Sequence, residues 1–378
     1  MPIHQISIDN FLRLSKELPV FDVRSPGEYL QAHIPGAISI PLFTDEQRKI
    51  IGTAYKRESR KIAVEIGINF FSQRMKILPK EVVKQIDQYQ NCDKNLQFSL
   101  PVQSEEIFDR QSNNQGVLLH CWRGGMRSET VAWLLNLYGY KIYVLEGGYK
   151  SFRRWALKQF EKEYRFNILG GYTGSGKTEV LNEMRKNGKT VIDLEGLANH
   201  KGSSFGSLGQ MAQPTQEMFE NLLAMELWKS DGENKFNSTN GDAESKTGKI
   251  IWLEDESRHI GSVGFPPLLW QQMRNSPLFV LEIPFTERLN FVVAQYGQFD
   301  KELLKTCVIN IQKRLGGLET KTAIQFLNEG NVKNCFEILI RYYDKLYTNS
   351  FNKRENLQPL LNKIPCESVS NDNAGYFV

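Results

Sequence analysis

Two short segments carry residues whose types and spacing can do chemistry. The first is CWRGGMRS, residues 121–128. A cysteine followed by two glycines can sit in a turn whose successive backbone N–H groups point inward and cradle an anion. A helix beginning near Ser128 adds its positive dipole end, and the guanidinium groups of Arg123 and Arg127 add charge if they turn inward. All of these favour a Cys121 thiolate over the thiol. Held in a nest formed with Gly124 and Gly125, a thiolate can attack a sulfur or selenium donor and keep the transferred atom. That chemistry requires a thiol that a donor can reach; the plain alternative is a structural cysteine at a strand end.

The second segment is GYTGSGKT, residues 171–178, which fits GxxxxGK[ST] in full. Gly171, Gly174, Ser175 and Gly176 offer backbone N–H groups that wrap a phosphate chain. Lys177 brings a mobile positive charge to the terminal oxygens, and Thr178 is of the type that ligates magnesium when that ion is present. An acid ending a nearby strand would support such an ion. Asp193 in VIDLEG and Glu254, Asp255 and Glu256 in IIWLEDES are candidates, and any of them could instead cap a turn. His200 and Lys201 in NHKGSSFG, and Arg258 beside His259 in ESRHIG, are candidates for diphosphate or RNA contacts. Two basic stretches suit a polyanion: Arg48, Lys49, Lys56, Arg57, Arg60 and Lys61 with Tyr55, and Lys150, Arg153, Arg154 and Lys158 with Trp155.

The elements that must position these loops follow from apolar patterning. Residues 18–24 (LPVFDVR), 116–121 (GVLLHC) and 140–148 (YKIYVLEGG) read as buried strands, with a helical pattern at 128–139. Repetition of strand, loop and helix implies a mostly parallel sheet covered by helices. A polar, helical connector follows at 149–164, and FNILGGYTGSGKT then starts a second such unit. Strand-like runs recur at 190–196, 249–255 and 278–284. The polar segment 229–248 reads as a surface loop, and the chain from about residue 300 as helical with a polar tail. The stretch FGSLGQMAQPTQEMFENLLAMELW is apolar enough for a core or a ligand groove. The expected class is α/β, with domains at 1–155 and 156–300 and a helical region, 301–378, packed on the second.

Composition bounds the partners. The chain has 378 residues, 40% hydrophobic and 24% charged, with a net charge of +4, so two soluble domains are expected. No apolar run is long enough for a membrane span and the N-terminus lacks a secretory pattern, which points to the cytoplasm. Five cysteines (Cys92, Cys121, Cys307, Cys335 and Cys366) are odd in number and contain no CxxC pair, so neither a disulfide scaffold nor a cysteine zinc site is expected.

FDVRSPGEYLQAHIPGAISIP (residues 21–41), CWRGGMRS and LEGGYKSFRRW (145–155) together resemble the rhodanese domain family. That resemblance implies that Asp22 and Arg24 organise the active loop and that His33 is structural. With the phosphate loop, DLEGLANHKGSSFG and WLEDESRHIG, the chain resembles the tRNA 2-selenouridine synthase family over nearly its whole length. The resemblance implies a transferase acting on tRNA at a wobble 2-thiouridine. The sulfur is first geranylated from geranyl diphosphate and then replaced by selenium from selenophosphate. It further implies that the phosphate loop holds the diphosphate, without need of ATP hydrolysis, and that Cys121 serves the selenium step. A rhodanese-type sulfurtransferase with an accessory nucleotide-binding domain is the alternative.

Overall fold

A computed structural model describes residues 3–92, 116–231 and 249–377. Residues 232–248, most of the expected surface loop, lie outside the described residues, as does the side chain of Cys92. The chain divides into two compact units, Met1–Lys158 and Gln159–Val378.

The first unit is a five-stranded, all-parallel sheet in the order β1-β5-β4-β2-β3. Its strands are β1 (Ile3–Ile6), β2 (Val20–Asp22), β3 (Ile38–Ser39), β4 (Gly116–His120) and β5 (Lys141–Leu145). β2 and β4 are buried at every residue, as strands covered on both faces must be. Phe21, Val117, Leu119 and Ile142 pack with Val131 and Leu135 from the helix Met126–Leu137. The connector read as helical at 149–164 is a helix over most of its length, Gly148–Gln159, and it is packed rather than only polar, because its apolar spacing buries Tyr149, Phe152 and Ala156. The boundary expected after residue 155 therefore falls inside a helix.

The second unit holds a parallel sheet in the order β12-β11-β6-β8-β7. Its strands are β6 (Arg165–Gly171), β7 (Thr190–Val191), β8 (Ile250–Glu254), β11 (Leu278–Glu282) and β12 (Leu361–Pro365). A small antiparallel pair, β9 (His259–Ile260) and β10 (Val263–Gly264), lies beyond β8. β6 connects onward to β7 on one side and its neighbour β11 to β12 on the other, so the connections leaving these two adjacent strands diverge and open a crevice at their carboxyl ends.

β7 is shorter than its apolar run suggests. The Asp193 side chain accepts the Gly196 N–H (2.8 Å) and turns the chain into the helix Leu194–Ala198. The helices Phe285–Tyr296, Lys301–Asn310, Gly317–Asn328 and Val332–Asn352 share a core that includes Leu304, Val308, Ala323, Phe336 and Leu339. The tail is not merely polar: β12 joins the sheet, and Phe377 packs on Trp252 and Phe279 with ring centroids 5.1 and 5.9 Å away. Among the described residues, no helix is long and apolar enough to cross a membrane.

Candidate active sites

Cys121 follows the last residue of β4, and the loop after it is held from behind. Gly124 adopts φ 63° and Gly148 φ 57°. A Cβ on Gly148 would stand 2.4 Å from the Cys121 carbonyl oxygen and 2.5 Å from the Gly124 nitrogen, so only glycine allows the two turns to touch. The Tyr149 and Lys150 N–H groups donate to the Cys121 and Trp122 carbonyls (2.8 and 3.0 Å). The first turn of the helix Gly148–Gln159 thus clamps the loop.

At the sulfur, the Gly125 N–H donates to Sγ at 3.4 Å, and the Ser128 hydroxyl lies 3.3 Å away. Burial raises the Cys121 thiol, but the Ser128 hydroxyl, the Gly125 N–H and the Arg127 charge outweigh it and hold the thiol below its ordinary value. The other described cysteines move the opposite way: burial raises Cys307 and Cys366, and pushes Cys335 up to about 12. Arg127 turns inward and pairs with Glu28 (2.7 Å), whereas Arg123 is exposed. Cys121 itself is only 3% exposed, while residues 122–126 above it are exposed or half-buried. The thiol is therefore beneath the surface rather than open.

Asp22 and Arg24 form a fully buried pair (2.5 Å). Arg24 also donates to the Ala32 carbonyl (2.7 Å), and its guanidinium lies 4.0 Å from the centre of the Tyr149 ring. The pair therefore braces the residue that clamps the cysteine loop. His33 stacks on Tyr29 (3.9 Å) and its Nδ1 bonds the Tyr29 carbonyl.

The phosphate loop runs from β6 into the helix Lys177–Lys186, with positive φ at Gly171, Gly174 and Gly176. Ser175 is buried, and its hydroxyl has no partner among the described residues. Lys177 Nζ donates to the Gly171 carbonyl (3.3 Å) and lies 3.5 Å from Glu254. Thr178 Oγ1 is 3.4 Å from carboxylate oxygens of both Glu195 and Glu254. Glu195, Glu254 and Glu256 bring carboxylate oxygens within 4.8 Å of one another. Burial and mutual repulsion push Glu256 up to about 8 and Glu195 up to about 10, and raise Glu254 as well.

These groups floor a cleft of about 320 Å³. Lys201, Gly202 and Ser203, from the NHKGSSFG loop, lie over the acids, and a Cβ on Gly202 would meet Glu256 at 2.8 Å. His200 is buried, with Nδ1 unpartnered among the described residues. Asp255 lines the cleft but accepts from the Tyr347 hydroxyl (3.0 Å) and faces Arg354 at 3.6 Å; Asp193 is a helix cap. Arg258 and Arg154 are exposed, Arg153 is half-buried, and none of the three lines the cleft. Of the first basic stretch, Arg48 pairs with Glu28 (3.1 Å), and Lys56, Arg57, Arg60, Lys61 and Tyr55 are exposed.

Sequence reasoning missed Glu195, which stands two residues beyond the Asp193 cap. It also missed the wall given by the helices Phe285–Tyr296 and Val332–Asn352. Of the two readings of the apolar stretch, core or groove, the structure has core: Phe219, Leu223 and Leu227 are buried. Arg288 supports the loop from below, donating to the Thr173 carbonyl (3.0 Å) and pairing with Asp344 (2.8 Å).

A parallel domain with a thiolate-favouring cysteine loop, joined in one chain to a phosphate-loop domain, defines a rhodanese-like and P-loop two-domain protein. The family models agree: a rhodanese-like domain matches residues 7–65 and 79–154, and the tRNA 2-selenouridine synthase AAA domain matches residues 164–363. Among curated relatives, a tRNA 2-selenouridine synthase from Sulfurovum sp. is 30% identical over 360 residues, covering 87% of each chain. One from Pseudomonas putida is 32% identical, covering 80% of this chain and 76% of its own. One from Marinobacter nauticus is 30% identical, covering 92% of each. The chain belongs to the tRNA 2-selenouridine synthase family, a family of transferases.

Proposed function

We propose that the protein replaces the sulfur of a wobble 2-thiouridine in tRNA with selenium in two stages. In the first, the thiocarbonyl sulfur attacks the first carbon of geranyl diphosphate; the C–S bond forms, the C–O bond breaks and diphosphate leaves. The N–H groups of the phosphate loop and the Lys177 charge stabilise that departing anion. S-alkylation makes C2 of the base electrophilic. In the second stage the selenium of selenophosphate bonds to C2 and the geranylthiolate departs; water then cleaves the Se–P bond, releasing phosphate and leaving the selenated base. Cys121 and its nest serve this selenium step.

The residues beside the loop suit a hard divalent cation such as Mg²⁺. The donors are all oxygen, from Thr178, Glu195, Glu254 and Glu256, and the carboxylates repel one another in its absence. Such an ion, when bound, supplies neutralising charge for a diphosphate. The exposed Lys56, Arg57, Arg60 and Lys61 with Tyr55, and Lys150, Arg154 and Lys158, suit the backbone phosphates of tRNA, and Tyr55 can stack on a displaced base.

The observation that carries the reading is one chain's pairing of a thiol held below its ordinary pKa with a phosphate loop that opens on an apolar-walled cleft. The test is mass analysis of wobble nucleosides after incubating 2-thiouridine tRNA with geranyl diphosphate and selenophosphate. Alkylated and selenated products are expected in that order. Their absence with folded, tRNA-binding protein would refute the reading.

A further inference from the structure

We propose that the wall beside the phosphate loop seats the prenyl chain, and that Leu346 sets the chain length accepted. This rests on the prenyl-diphosphate reading above and assigns specificity within that same cleft.

The wall is made by one face of each of two helices. Phe291, Val292 and Tyr296 come from Phe285–Tyr296, and Tyr343, Leu346 and Tyr347 from Val332–Asn352. The second set recurs at three- and four-residue spacing, which keeps it on one side of its helix. Both helices abut the phosphate cradle at the inner end. A Cβ on Gly174 would stand 2.6 Å from Val292, and the Gly171 N–H donates to the Tyr347 hydroxyl (3.1 Å). A ligand whose diphosphate fills the loop therefore meets this wall as its next surface.

The wall's polar tips are already engaged. The Tyr343 hydroxyl is bound to the Ser204 N–H (3.2 Å) and Ser204 Oγ (2.5 Å), and the Tyr347 hydroxyl donates to Asp255 (3.0 Å). What these rings offer a ligand is carbon, which suits an isoprenoid. At the outer end Leu346 is 41% exposed, and Phe291 is half-buried. Leu346 is the exposed member of the apolar lining and so the side chain that a longer chain meets last. The volume, about 320 Å³, lies near the lower end of the roughly 300–1,000 Å³ usual for small-molecule sites, so a modest change at the rim alters what fits.

The test compares dimethylallyl, geranyl and farnesyl diphosphates (five, ten and fifteen carbons) as alkyl donors to 2-thiouridine tRNA. It uses the full-length wild type, Leu346→Trp and Leu346→Ala. Leu346→Trp is expected to lower kcat/KM for the ten-carbon donor roughly ten- to a hundredfold while leaving the five-carbon donor nearly unchanged. Leu346→Ala is expected to raise the preference for fifteen carbons over ten by about tenfold. Inorganic pyrophosphate, titrated calorimetrically, should bind all three proteins alike.

An unchanged chain-length preference in both variants overturns the assignment. So does a loss of pyrophosphate affinity that matches the loss in kcat/KM. A third overturning result is ATP that competes with pyrophosphate and is weakened by both variants, which would mark the wall as a base pocket holding Gln295 and Ser350 as its polar contacts. A wild type that alkylates tRNA with none of the three donors overturns the underlying reading as well, and is told apart because it appears before any substitution is made.

Discussion

Cys121 and Lys177 occupy corresponding places in the two units. Each follows the carboxyl end of a buried parallel strand, beside glycines with positive φ, and each lies at or just before the start of a helix. The side chains around them then diverge. Around Cys121, the Ser128 hydroxyl, the Gly125 N–H and Arg127 favour a negative sulfur, and the nearby acid, Glu28, is held down to about 2 by Arg127 and Arg48 despite its burial. Around Lys177, three glutamates crowd together and are pushed up. One turn is arranged around an anion of its own; the other crowds together carboxyl groups that resist ionising. Shared backbone geometry therefore does not determine electrostatic task, which is set by the side chains that neighbouring elements bring in.

The largest expected effects would separate the two loops outright. Lys177→Ala should reduce formation of the alkylated nucleoside on the order of 100- to 1,000-fold. Cys121→Ser should leave that step intact and let the alkylated nucleoside accumulate, as read by mass analysis. The reverse pattern would mean the two roles are exchanged.

Next, Glu256→Gln should relieve the crowding. A carboxyl whose folded pKa is about 8, against 4.5 ordinarily, contributes stability that is complete below about pH 4.5 and is lost as pH rises through about 8. In chelator, urea midpoints of the wild type should therefore fall relative to the variant between pH 5 and 8. The slope should be no steeper than about 1.4 kcal/mol per pH unit. Added Mg²⁺ should stabilise the wild type more than the variant; equal stabilisation would remove the cation from the comparison.

A smaller effect is expected for Ser128→Ala. It removes a contribution that lowers the Cys121 pKa, so the inflection of a pH profile of thiol alkylation should move upward. Alkylation at neutral pH should slow roughly tenfold, since a hydrogen bond to a charged group is worth about 1.5–3 kcal/mol. Arg123→Ala should change the same rate by less than about twofold, because an exposed charge is screened by solvent. A large effect would place Arg123 at the sulfur after all.

Much of this arrangement was legible in local patterns. Apolar runs ending in CWRGG and GGYTGSGKT place both loops after strands because a glycine turn between strand and helix is written in consecutive residues. Glu195 was not legible, since its approach to Glu254 depends on β7 pairing with β8 and on the Asp193 cap turning the chain. The wall residues Tyr343 and Tyr347 were hidden for a related reason. Helical spacing announces that one face is covered, but not which partner covers it. β12 was missed because residues 361–365 include exposed polar positions, as an edge strand allows.

The placement of residues 361–369 has a consequence for biosynthesis. β12 lies against β11, and Val369 beyond it would be 2.5 Å from a Cβ on Gly176. During translation the phosphate loop is made long before these residues leave the ribosome, and it must wait for them before its final neighbours are in place. The cysteine-bearing unit, complete by residue 158, has no such delay. A nascent chain should thus acquire its two chemistries one after the other, with the sulfur ready first.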